Sequence, residues 1–138
     1  MPYFDLNIYA LIAAAVLQMI IGFLWYSPFL FGKAWMHAQG ITDDKRTEMK
    51  QKGMAKTYVG AFAASIVTSY ILGLVIKAFG ANASEGLIIG LLMWFGFVLA
   101  KSFTDLLFDN KNRMVFLISV SYQCASLLAM GALLGRWA

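Results

Sequence analysis

In 138 residues the chain has one cysteine, one histidine, two prolines and only 13% charged positions. A lone thiol, Cys124, closes no intrachain disulfide, and no CxxC or paired His/Cys spacing offers ligands to a metal. Redox and zinc chemistry drop out on those grounds. The single histidine, His37, stands in the order Ser27, His37, Asp43, which gives no arrangement for activating a nucleophile. No glycine-rich phosphate loop follows a strand. The reading therefore assigns no catalytic, cofactor-binding or metal-ligating residue and expects no enzyme. The N-terminal stretch MPYFDLNIYALIAAAVLQM lacks the basic n-region of a signal peptide and continues too long, so it is expected to stay attached.

What fills the chain is apolar: 61% hydrophobic residues and a mean hydropathy of +0.71, where soluble domains carry about 25% charge. Crossing about 30 Å of hydrocarbon takes about 20 mostly apolar residues. Four stretches qualify, at 6–25, 56–77, 86–108 and 114–135. The third is awkward, because Glu85 and Lys101 enclose a short uncharged run before the apolar pattern resumes to Phe108. The expected fold is all-α, a single four-helix transmembrane domain. Basic residues set the orientation. Lys33, Lys45, Arg46, Lys50, Lys52 and Lys56 lie between spans one and two, and Lys101, Lys111 and Arg113 follow span three. Only Lys77 and Arg136 fall on the opposite side. Both termini are expected outside, with the basic loops in the cytoplasm of a bacterial inner membrane. The net charge of +4 reads as a topology signal and not as a nucleic-acid footprint.

Residues 24–36, LWYSPFLFGKAWM, leave the first helix by way of a proline yet stay apolar. Pro28 disfavours helix at the residue before it, so the first helix stops near Tyr26 and Ser27. Trp25, Tyr26 and Trp35 are ring types that settle at the lipid–water boundary, and Lys33 can reach the headgroups while its stem stays in apolar surroundings. An interfacial aromatic elbow satisfies all of these; a lid or re-entrant piece over a polar cavity is the alternative. Beyond it, TDDKRTEMKQKGMAK predicts a cytoplasmic helix leading into span two. Thr42 is its N-cap, Asp43 and Asp44 suit its positive end, and Gly53 supplies a bend.

Met19 to Phe23 matches Met93 to Phe97, and Ile66 to Tyr70 matches Ile118 to Tyr122, which admits a 2+2 parallel internal repeat. Lys101 and Asp105 are four residues apart on one helix face and form the intramembrane charge constellation, either a pair ending the helix or an ion or proton site. Gln18, Ser65, Thr68, Ser69, Tyr70, Ser119, Ser121, Tyr122, Gln123 and Ser126 fall within spans, where each needs a partner. Interhelical hydrogen bonding is one use; a solute path lined by Gln18, Tyr70, Tyr122 and Gln123 is another. Small residues four apart let backbones approach closely: Gly86 with Gly90, Gly131 with Gly135, and the stripe Ala61, Ser65, Ser69 and Gly73. One such face is expected to remain for another copy, giving a dimer or trimer in the lipid bilayer, or for a larger membrane complex.

Asn7, the stretch GFLWYSPFLFGKAWM from Gly22 to Met36, the Gly96-Phe97 pair, Leu107-Phe108 with Tyr122 as partner, and the ending from Gly131 to Trp137 resemble the domain-of-unknown-function 1761 family of small bacterial membrane proteins. The resemblance spans nearly the whole chain, and the WYSPxLFGxxW core carries it. It implies a four-helix membrane protein with no assigned reaction and supplies no site residue. Asp105, in SFTDLLFDN, departs from it, since an uncharged residue is implied there. Two functions remain open: a conduit or carrier for a small solute or ion, and a non-transporting accessory or assembly subunit that binds partner helices. A hydrated cavity reaching mid-membrane marks the first; a dry, packed interior with an exposed small-residue groove marks the second.

Overall fold

The structure is a computed structural model that describes residues 6–51, 53–109 and 112–137. Seven α-helices follow in order: α1 Ile8–Trp25, α2 Gly32–Gln39, α3 Asp43–Gln51, α4 Ala55–Ala78, α5 Ala83–Met93, α6 Ala100–Asp109 and α7 Arg113–Trp137. Among the described residues there is no strand. Between α5 and α6 the chain winds as a π-helix, Trp94–Leu99, so these pieces form one continuous span, Ala83–Asp109. Among the described residues four helices are then long and apolar enough to cross a membrane.

Local chemistry starts and stops these helices. Asn7 accepts from the Tyr9 amide at 3.0 Å to open α1. Asn82 and Glu85 form a reciprocal capping box on α5, and Asn112 accepts from the Met114 amide at 2.8 Å ahead of α7. Thr42 does cap α3, through the Lys45 amide at 3.2 Å. The polar α3 does not run continuously into span two. Gly53 has φ +84°, a left-handed conformation that glycine adopts without a side-chain clash, and the chain turns there before α4 begins.

At the centre stands α7, which packs against α5, α1 and α4 and also touches α2 and α6. About its most apolar window 39% is buried, against 11% for the third span. The core joins Ala10 and Ala14 of α1, Leu72 and Ile76 of α4, and Leu127, Met130 and Leu134 of α7. With lipid on the outside as apolar as leucine, close backbone approach and interhelical hydrogen bonds must hold such helices together. Both occur. A Cβ on Gly86 would strike the Gly131 carbonyl, and one on Gly131 would strike that of Gly86; Gly90 faces the Leu127 carbonyl and Gly135 that of Asn82 in the same way. The α-hydrogens therefore point at carbonyl oxygens of the facing helix, weak contacts that recur where backbones touch and contribute about 0.5–1 kcal/mol each. On the other side Ser69 donates from α4 to the Leu11 carbonyl of α1 at 2.8 Å, and Gly73 admits the Leu11 and Leu6 side chains.

The two halves do not pack alike. Helix α1 lies along α7, whereas its counterpart in a 2+2 repeat, α5, barely meets α4. Joined through a short turn, α4 and α5 diverge and leave a cleft of about 490 Å³ walled by Val75, Phe79, Ile88, Ile89, Leu92 and Met93.

Candidate functional site

The aromatic elbow is a compact turn. Ser27 organises it: its hydroxyl donates to the Leu24 carbonyl at 2.7 Å, while its own carbonyl accepts from the Leu30 and Gly32 amides at 3.1 and 2.9 Å. Gly32 is buried against the Tyr26 and Ser27 carbonyls with no room for a Cβ, which explains a glycine at the start of α2. Pro28 occupies the turn, and the apolar tip projects outward, with Phe29 96% exposed. Lys33 is exposed as well.

The motif's rings lock this turn onto α7. Trp25 donates through Nε1 to Ser121 Oγ at 3.2 Å. Tyr26 meets Trp35 and Tyr122 edge-on, each at a centroid separation of 5.6 Å. Its hydroxyl is held by the Ser119 side chain, and burial pushes its pKa above the ordinary tyrosine range. Asn112 Nδ2 reaches the Ala38 carbonyl at 3.4 Å, so the elbow and the α6–α7 connection share one end of the bundle. The elbow is a docked structural corner. Beside it Met19, Gly22, Phe23, Tyr26, Tyr58 and Tyr122 wall a lateral groove of about 460 Å³ between α1 and α4.

The residues expected to line a polar path separate. Gln18 is buried in α1, and the Tyr122 hydroxyl contacts its backbone carbonyl at 3.5 Å. Tyr70 lies on the outer face of α4 with Ile66, Val67 and Ile71, because Ser65, Ser69, Leu72 and Gly73 take the inner one. Gln123 is half-buried, one residue along from Tyr122 on α7. Many hydroxyls in the spans bond helix backbones: Ser65 to Ala61 at 3.0 Å, Thr68 to Ala64 at 3.1 Å and Ser121 to Ile118 at 3.0 Å. Tyr122 partners Gly22 and Tyr26; Leu107 and Phe108, expected beside it, are exposed.

The charge pair also divides. Lys101 is exposed, and among the described residues no ion pair joins it to Asp105. Asp105 is half-buried and faces α7 across a pocket of about 100 Å³ with Ser102, Leu106, Phe116 and Ser119. The packing glycines Gly86, Gly90, Gly131 and Gly135 are consumed by one another, and Ser65, Ser69 and Gly73 by α1; of that stripe only Ala61 is exposed, in the lateral groove. The small-residue faces expected to meet a second copy are thus used within the bundle, apart from Ala61.

Two contributors escaped the sequence reading. Trp94 donates from the π-helix to the Val120 carbonyl at 2.8 Å, and Gly32 seats the elbow. A tryptophan at a point in span three where no membrane boundary was expected was the available signal for the first. Residues 9–135 match the family described as Protein of unknown function (DUF1761). Neither the curated proteins nor the solved structures contain a match.

Proposed function

The chain belongs to the DUF1761 family of proteins of unknown function, a match that assigns no activity, and we propose that it is a non-transporting membrane protein that binds partner transmembrane helices. The observation that carries this reading is the closed interior. Backbones meet at the α5–α7 glycines with no room for a methyl, and Ala10, Ala14, Ile76, Met130 and Leu134 fill the bundle beyond. A solute path needs water-lined continuity, and Tyr70 faces outward instead of completing one. The partner helix is assigned to the α4–α5 cleft, because the third span rests on α7 and has little of α4 against it. Its walls are bulky and apolar apart from Glu85 at one end, in place of the exposed small-residue groove expected from the sequence, and they suit an apolar helix with small residues at the contact.

The same proposal places the protein in a bacterial cytoplasmic membrane, with termini outside and lysine-rich connections in the cytosol. The Asn112 to Ala38 bond supports it by putting both basic connections at one end. A photo-crosslinking residue at Ile88 or Leu92, in native membranes, is expected to give adducts heavier than the 15.3 kDa chain. The outward positions Ile12 and Val16 are expected to give none. Adducts of lipid alone from the cleft, or solute flux in liposomes that Gln18→Leu abolishes, would reject it.

A further inference from the structure

Two buried side-chain atoms, Gln18 Oε1 and Ser126 Oγ, have no hydrogen-bond partner within the protein. Gln18 is 8% exposed and Ser126 0%. They belong to different helices, α1 and α7, which run antiparallel. Three contacts set the register: Trp25 with Ser121, Tyr26 with Tyr122, and Gly22, where a Cβ would lie 3.2 Å from the Tyr122 hydroxyl. One turn back along α1 therefore corresponds to one turn forward along α7, and by that count Gln18 falls at the level of Ser126. The same count pairs Ala14 with Met130 and Ala10 with Leu134, and all four of these residues belong to one buried core.

We infer that α1 and α7 hold an internal water molecule between Gln18 and Ser126. The donor and acceptor inventory selects this ligand. Gln18 Oε1 only accepts, while the Ser126 hydroxyl both donates and accepts. A water donates one proton to Gln18 Oε1 and accepts the Ser126 proton. Buried waters typically make about three such bonds to polar groups that would otherwise go unpaired. A bare cation fits poorly, because the surrounding core residues are neutral and desolvation would go uncompensated. The water is one enclosed molecule held by two side chains, not a hydrated cavity open to either face, so the closed interior of the proposed function stands; it joins α1 to α7 as Ser69 and Leu11 join α1 to α4 directly.

Water-edited solid-state NMR of the full chain in lipid bilayers tests this. The Gln18 side-chain amide and the Ser126 Cβ are expected to gain magnetisation from water. Ser69, buried at 0% and bonded to Leu11, is expected to gain none. Ser126→Ala is expected to cut the transfer to Gln18 severalfold. The wild-type spectrum decides the matter even if that variant does not fold: no transfer at Gln18, or a rotated Gln18 amide bonded directly to Ser126, overturns the inference.

Discussion

A methyl group on Gly86 tests the packing at its tightest point. In Gly86→Ala the new carbon falls on the Gly131 carbonyl oxygen, 3.0 Å from its carbon and 3.2 Å from the Gly135 Cα. No side chain can swing aside, because all of these are backbone atoms. The helices must separate by about 1 Å, which forfeits a quarter to a half of each facing contact. For about 50 atom pairs at about 0.15 kcal/mol each, a third lost is about 2.5 kcal/mol. Weakening one Cα–H···O contact adds about 0.5 kcal/mol. Alanine's helix propensity returns about 1 kcal/mol. The net cost is about 2 kcal/mol, or about thirtyfold in the unfolding equilibrium. Gly60 has nothing within 4 Å of a Cβ, so Gly60→Ala is expected to be neutral or to stabilise by up to about 1 kcal/mol. Detergent-driven unfolding in mixed micelles, read by tryptophan fluorescence, compares the two. Equal stability of Gly86→Ala and Gly60→Ala would show that the close α5–α7 approach at Gly86 contributes nothing to the fold.

Trp94→Phe deletes the donor to Val120 and is expected to cost about 1 kcal/mol in the same assay; an unchanged midpoint would show that bond to be idle. Gly32→Ala places a Cβ against the Tyr26 and Ser27 carbonyls, so limited proteolysis between residues 30 and 56 is expected to accelerate while the spans stay protected. Asn82→Ala removes the capping box and is expected to destabilise by about 1 kcal/mol, measurable in the same unfolding curves. Lys45→Cys is expected to label only from the cytosolic side and Ser84→Cys only from the other; the opposite pattern would invert the proposed orientation.

How far the chain could be read depended on the kind of signal each residue carried. The spans were legible because hydropathy over about 20 residues averages away local detail. Pro28 announced the elbow, and Thr42 announced its cap, through short-range chemistry that needs no tertiary context. The direction of Tyr70 was not legible. Ordinary amphipathic helices expose a polar face to water, whereas α4 is apolar all round and offers no such phase. The same uniformity hid the π-helix at Trp94–Leu99, since a change of winding leaves no trace in a pattern without contrast. Lys101 and Asp105 looked like partners from their spacing, yet Asp105 turns towards α7 and Lys101 away from it. The glycine pairs were visible as spacing, but which helix each would meet was a matter of topology.

The central place of α7 bears on biosynthesis. The other three spans leave the ribosome earlier, and of their mutual contacts only α1 with α4 is extensive. The third span therefore waits in the bilayer without its principal neighbour until the fourth is inserted. During that interval its glycine face is open to chaperones, to membrane proteases and to any stray helix that fits. Quality control should accordingly sense the assembly of this bundle at its fourth hydrophobic segment.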